Sequence, residues 1–438
     1  MRLIYALVLT VMAALPARAE VNIQEVTSPG GLKAWLVEEP SIPFVALDVR
    51  FRGGASLEGP DKRGAINLMT ALLEEGAGAM DARAFARAAE GLASSFRFSV
   101  DDDALAVSAQ FLTENQDASV ALLKEALQNP RFDAEAIDRV RGQVLSGIRS
   151  SEKDPDDIAR KTMDGLLYGD HPYGSSLSGS VETVTALTRD DLVAAHADVL
   201  ARDRVFIGAV GDITPDALGL LLDDLLGGLP EKGAAMPAVA EVRIPSGVTV
   251  VDFPTPQSVA IFAQKGIKQK DDDWFAATVM NQVLGGGSFE SRLMDEVREK
   301  RGLTYGVYSY LVPMDLAETF QGSVSSANDR IGEAISVIRD EWVKMAEKGV
   351  TQQELDDAKT YITGSYPLRF DGNQRIASIL VGMQMLDLPI DYIPTRNDKV
   401  EAVTLEDVQR VAGELLDPEG LAFVVVGQPE GLETTAGN

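Results

Sequence analysis

The chain has 438 residues, 67 acidic and 40 basic, for a formal charge of −27, with 45% apolar and 24% charged side chains. That balance is a soluble globular one, long enough for roughly two to four domains; it excludes disordered and collagenous chains, and its negative surface disfavours nucleic acid. With no cysteine and only His171 and His196, the chain cannot build disulfides, thiolate zinc sites or a three-histidine metal site.

In chain order, residues 1–19 read as an export signal cleaved after Ala19. Arg2 supplies the positive start, Leu3–Leu15 is an apolar run too short to span a bilayer, and Ala17-Arg18-Ala19 is a small-residue cleavage site. With no cysteine, export points to a periplasm. Phe44–Phe51 alternates, with Val45, Leu47, Val49 and Phe51 on one face and Ala46, Asp48 and Arg50 on the other. Helices are expected at Arg63–Glu75, Ala82–Leu92, Asn115–Leu127 and Asp133–Ser150. Between the second and third, Phe96, Phe98 and Val100 lead into the turn Asp101–Asp103 and back through Leu105, Val107, Ala109 and Phe111, a hairpin. A calcium loop is the weaker reading of that turn, because the EF-hand spacing is absent.

The chain repeats itself. Residues 184–211 align without gaps onto 400–427, pairing Val184/Val400, Thr188/Thr404, Asp191/Asp407, Leu200/Leu416 and Gly211/Gly427. Each copy reads as an N-capping threonine, an amphipathic helix and an apolar strand ending in glycine. A second echo pairs Asp133–Ile148 with Thr351–Tyr366. The expected domains are therefore 20–228 and 244–438, joined by a linker at 229–243 with Pro230, Gly233 and Pro237. Strands near Val259–Gln264 and Tyr305–Leu311 complete an α+β reading: two homologous domains, each a largely antiparallel sheet packed by helices.

The helix through Gly64-Ala-Ile-Asn67-Leu-Met-Thr70-Ala71, in this repeat architecture, resembles the insulinase/pitrilysin metallopeptidases, the inverzincins, which include mitochondrial processing peptidase and the core subunits of cytochrome bc complexes. In that family this helix carries H-x-x-E-H, two histidines one turn apart on zinc and a glutamate that activates water. By that match the histidine positions hold Asn67 and Ala71, the base position holds Thr70, and the later glutamate ligand position holds Gly147. None of these side chains is a competent zinc ligand or base, so no metal is expected in this chain. A displaced site drawn from Glu74, Glu75, Glu152 or His171 is the alternative; His171 reads more simply as a pre-proline turn residue. His196 sits mid-helix where its repeat partner is Ala412, which argues against a shared duty.

The second half keeps what the first has lost. Gly285-Gly286-Gly287 and the stretch Arg292 to Tyr308 resemble the segment that lends an arginine and a tyrosine to the family's active site, here Arg298 and Tyr305. A phenol can donate to the oxyanion of peptide hydrolysis and a guanidinium can hold a carbonyl. Taken alone, Arg298 would be a solvated helix charge and Tyr305 a packed strand residue. The glycine run is either a helix cap with a turn or a mobile, substrate-touching loop.

The resemblance implies the non-zinc subunit of an exported heterodimeric zinc metallopeptidase. A homologous subunit with an intact H-x-x-E-H motif would supply zinc and base, and this chain, inactive alone, would lend Arg298 and Tyr305. Two other readings stay open: a peptide-binding or assembly subunit with no part in hydrolysis, and a self-sufficient peptidase with atypical metal ligands. Stoichiometric zinc in the isolated chain would separate the last from the others.

Overall fold

The computed structural model describes residues 22–287 and 290–436; the expected export signal lies outside them. In the first half, β1 (Gln24–Thr27), β2 (Lys33–Glu38), β3 (Phe44–Arg52), β4 (Ser95–Val100), β5 (Ala104–Leu112) and β6 (Val205–Gly211) form a sheet in the order β1-β2-β6-β3-β5-β4. Its helices are α1 (Ala65–Thr70), α2 (Ala82–Gly91), α3 (Gln116–Gln128), α4 (Ala134–Ser151), α5 (Pro155–Tyr168), α6 (Val181–Ala186), α7 (Arg189–Val199) and α8 (Pro215–Leu226). The second half holds β7 (Gly247–Asp252), β8 (Gln257–Lys265), β9 (Val307–Pro313), β10 (Glu318–Ala327) and β11 (Ala422–Gly427), ordered β9-β10-β8-β11-β7. With them come α9 (Trp274–Leu284), α10 (Ile331–Lys348), α11 (Gln352–Ser365), α12 (Asn373–Met385), α13 (Tyr392–Ala402) and α14 (Leu405–Leu415). Residues 230–246, between the two sheets, carry neither helix nor strand.

The α+β reading holds, and the two sheets share one topology. β2 with β6, and β7 with β11, are the parallel pairs; every other pairing in the two sheets is antiparallel, and β1 is an addition. The repeat extends to single hydrogen bonds. Thr188 Oγ1 accepts from the Asp191 amide (3.3 Å) while Asp191 accepts from the Thr188 amide (2.8 Å). Thr404 and Asp407 do the same at 3.1 and 2.9 Å. Each box satisfies helix-end donors that otherwise lack partners.

Each central strand is buried on both faces. In β3, Val45, Leu47, Val49 and Phe51 enter the first core with Ile66, Leu68 and Leu123. The opposite face, that of Ala46, Asp48 and Arg50, is covered by α12 from the second half. Asp48 there is 2% exposed, Arg50 donates to Ser378 at 2.6 Å and Gln384 donates to the Ile207 carbonyl at 2.8 Å. A β-carbon on Gly208 would lie 2.5 Å from the Ala377 carbonyl, so glycine is what lets α12 approach β6. The second half receives the reciprocal favour. Ala260 and Phe262 of β8 face its own core, while Val259, Ile261, Val424 and Val426 pack against Ala159, Met163 and Leu167 of α5. Leu380, one of several wholly buried side chains in this exchange, by itself contributes about 2 kcal/mol of apolar transfer.

The two equivalent hairpin turns, β4–β5 and β9–β10, meet at the joint between the halves. Asp103 accepts from the Asp315 amide at 3.1 Å. Tyr173, 3% exposed, donates to Asp103 and accepts from the Leu316 amide at 3.2 Å. Asp315 pairs with Arg52 of β3 at 2.9 Å. His171 caps this loop, taking the Tyr173 amide on Nδ1 at 3.2 Å and meeting the Ala238 carbonyl through Nε2 at 3.0 Å.

Candidate functional site

The helix expected over Arg63–Glu75 is shorter, α1 ending at Thr70 with tighter i→i+3 turns to Leu73 (Leu72 to Met69, 3.0 Å; Leu73 to Thr70, 3.3 Å). Its start is fixed by a buried carboxylate. Glu58 accepts from the Gly64 amide at 2.9 Å and from the Ile66 amide, so a negative group sits on the helix N-terminus. Burial pushes Glu58 up to about 7 against those two bonds and the Arg63 charge. Arg63, 4% exposed, is extended rather than helical because its guanidinium serves the loops: Asp102 at 2.6 Å and the Pro172 and Ser175 carbonyls at 2.9 and 3.0 Å. At the other end, Glu74, Glu75 and then Gly76 (φ 120°) stop the helix, acids being unfavourable at a C-terminus.

The four positions singled out on α1 and α4 differ in environment. Asn67 is half-buried, and one turn on the Ala71 amide donates to its carbonyl at 3.1 Å. Thr70 is 3% exposed and spends its hydroxyl on the Ile66 carbonyl at 2.7 Å. Ala71 and Gly147 are exposed, and a β-carbon on Gly147 would meet nothing within 4 Å. Of the displaced candidates, Glu75 is held in a fork by Arg139 of α4, with Nη1 at 2.9 Å. Glu74 is drawn upward by burial and by Glu75. Glu152, on the surface, and His171, at the joint, belong elsewhere. Among the described residues, no three His, Cys, Asp or Glu side chains stand close enough to hold a metal.

Arg298 and Tyr305 lie at the two ends of one turn. Met294–Glu299 is a π-helical segment, the widened form that recurs at functional sites. It closes with Gly302 N to Arg298 O at 2.7 Å and Leu303 N to Val297 O at 2.9 Å, Gly302 taking φ 58°. The Arg298 side chain is 33% exposed, with Nε 3.4 Å from Glu299. The neighbouring charges pair among themselves: Glu296 holds Lys300 and Arg301, each at 2.6 Å, which takes its carboxyl down to about 2. Tyr305 was expected to begin a strand; β9 starts at Val307, and Tyr305 occupies the bend before it, 87% exposed.

The three glycines have different duties. The Gly285 carbonyl accepts from the Ser309 amide at 2.8 Å, plugging the free edge of β9. β-Carbons on Gly285 and Gly286 would lie 2.4 Å from Ser309 Oγ and 2.6 Å from Gln282 Cα, so both are close-approach glycines. Gly287 alone is open, at φ 84°. A hollow of about 740 Å³ that sequence reasoning missed lies between β3, β5 and the start of α12, its lining mixing Asp48, Ser108, Gln110 and Gln374 with Phe44 and Ile379. None of the expected site residues lines it.

Two family models match: insulinase (peptidase family M16) over residues 33–181 and the peptidase M16 inactive domain over 186–362. A crystal structure described as a peptidase M16 inactive domain from Pseudomonas fluorescens superposes with a TM-score of 0.87 at 30% identity, covering 95% of this chain and 100% of that one. The chain belongs to the insulinase family, peptidase family M16. An M16 relative, the non-peptidase homolog YmxG of Helicobacter pylori, is 29% identical over 393 residues, 89% of this chain and 90% of that protein. An uncharacterized zinc protease of Streptomyces coelicolor is 24% identical over 408 residues, 90% of this chain and 87% of its own. A chain of complex III2 from Candida albicans shares the fold, with a TM-score of 0.78 at 14% identity over 94% of this chain and 97% of that one.

M16 membership implies zinc, and the residues present do not fit it. The four residues that the sequence match sets at the zinc positions, Asn67, Thr70, Ala71 and Gly147, offer one amide, one hydroxyl already bonded to backbone, a methyl and a hydrogen, none of them an imidazole or carboxylate.

Proposed function

We propose that this chain is a non-peptidase M16 subunit of an exported heterodimeric zinc metallopeptidase, lending Arg298 and Tyr305 to the site of a homologous partner that carries zinc and the H-x-x-E-H motif. The observation that carries this reading is an asymmetry. Every metal and base position is chemically blank, while the phenol of Tyr305 stands 87% exposed at the end of a built turn and Arg298 lies at the other end of that turn. A phenol reaching a partner's oxyanion must be displayed outward, as Tyr305 is.

The peptide is read as an added strand, bound through main-chain hydrogen bonds that tolerate many sequences. β4 supports this: it pairs only with β5, and Ser95, Arg97 and Ser99 alternate outward along it. The corresponding edge in the second half, β9, is plugged by Gly285. Among the described residues no helix is long and apolar enough to cross a membrane.

The test is to purify the chain with its H-x-x-E-H homologue and follow peptide turnover by the pair. Tyr305→Phe is expected to lower turnover about 10²–10³-fold, the usual loss for one oxyanion donor. Unchanged turnover favours the assembly-subunit reading. Chelator-sensitive hydrolysis by the isolated chain overturns both.

A further inference from the structure

A side chain 87% exposed has no packing to aim it, so the direction of the Tyr305 phenol is set by its backbone. That backbone is stitched down on both sides. Before Tyr305, Ser326 of β10 donates to the Leu303 carbonyl at 2.5 Å. Thr304 Oγ1 then accepts from the Gly306 amide at 3.0 Å, closing a side-chain turn around Tyr305. The Thr304 hydroxyl hydrogen reaches the Ser325 carbonyl of β10 at 2.7 Å, with the Gly306 carbonyl at 2.8 Å as the other acceptor in range. After Tyr305, a β-carbon on Gly306 would lie 2.7 Å from the Tyr308 hydroxyl, so the Tyr308 phenol lies over that residue.

We propose that Thr304 is the positioning residue for Tyr305: its hydroxyl, bridging Gly306 and β10, fixes the bend from which the phenol is presented to the partner's site. This rests on the reading that Tyr305 assists hydrolysis. Valine has threonine's shape and neither hydrogen bond; serine keeps both. Threonine here also prefers the extended backbone that leads into β9.

The experiment pairs two readouts. In the isolated chain, hydrogen exchange at the Gly306 amide is expected to speed up about tenfold or more in Thr304→Val, with Thr304→Ser close to the parent. In the pair, Thr304→Val is expected to lower kcat about 10–100-fold with KM little changed, the cost of a misdirected group, and Thr304→Ser to restore most of it. Adding Thr304→Val to Tyr305→Phe should cost nothing further, because both changes act through one phenol. The inference falls if Tyr305→Phe impairs the pair and Thr304→Val does not, if the two losses multiply, or if Gly306 exchange is unmoved. A harmless Tyr305→Phe instead removes the proposed function, with the exchange result still reporting on the stitch.

Discussion

Tyr173→Phe removes one oxygen from the joint between the halves, and its effect should depend on pH. The phenol donates to Asp103 and accepts from the Leu316 amide, tying the β4–β5 turn to the β9–β10 turn. Burial lifts the Asp103 carboxyl from 3.8 to about 6; the Tyr173 hydroxyl and Asp315 amide pull it down, and the charges of Asp315 and Asp101 push it up again. A carboxyl raised in the folded state binds its proton more tightly there, so stability falls as pH rises from about 4 to 6, by roughly 3 kcal/mol. At pH 8 Asp103 is ionised, and losing a bond to a charged group costs about 1.5–3 kcal/mol. The orphaned Leu316 amide adds about 1 kcal/mol, for a total of about 2.5–4. At pH 5 Asp103 is mostly protonated, the lost bond is a neutral one of about 0.5–1.5 kcal/mol, and the total shrinks to about 1.5–2.5 kcal/mol. Without the phenol the Asp103 carboxyl rises further, so the fall in stability shifts to higher pH. Urea unfolding at both pH values, followed by the fluorescence of Trp35 in the first half and Trp274 and Trp342 in the second, reads the effect. An equal loss at both pH values would refute the assignment of Asp103 as the partner that matters.

The helix exchange makes its own prediction: Gly208→Ala forces a β-carbon against the Ala377 carbonyl and should cost about 1–3 kcal/mol in urea, whereas a neutral result would mean that α12 can ride outward freely. Thr188→Ala and Thr404→Ala should each cost about 1 kcal/mol, since the two caps are chemically the same; a silent member of the pair would break the equivalence of the repeats. Arg292 forks onto Glu354 at 2.7 and 2.8 Å. Burial raises that carboxyl, but the Arg292 and Thr351 bonds outweigh it and bring it down to about 2. Its contribution is therefore present above the ordinary 4.5 and lost as pH falls towards 2, and Arg292→Ala should flatten that acid limb in a pH series of melting temperatures.

How far the sequence could be read depended on where each residue's partner lay along the chain. The capping boxes at Thr188 and Thr404 and the hairpin through Asp101–Asp103 are local, their partners within a few residues, and their patterns are plain in the sequence. The alternation along β3 sets Ala46, Asp48 and Arg50 on the face opposite the apolar one and does not say what lies against them. What covers that face is α12, more than three hundred residues away, and no local period can announce that. The glycines illustrate the same limit. Three in a row permit either a helix cap with a turn or a mobile loop, and the close approach of Ser309 to Gly285 is set by a residue more than twenty positions on. Thr304 gave no signal at all, since its role depends on Ser325 crossing the turn.

Two of the four residues matched to the family's zinc positions lie on the surface, where the fold asks little of them. α1 is anchored by Ile66, Leu68 and Met69, each buried in the first core, and by the Glu58 cap at its start. Ala71 and Gly147 are exposed, and Gly147 faces open space. A longer side chain at Ala71 or Gly147 would be an addition to the surface of a core that closes without it, whereas Thr70 is buried with its hydroxyl on the Ile66 carbonyl. Arg298 and Tyr305 differ, because the turn that carries them is tied into the sheet by Leu303, Thr304 and Ser326. The core is therefore indifferent to what stands at Ala71 and Gly147, while the Arg298–Tyr305 turn is tied to β10.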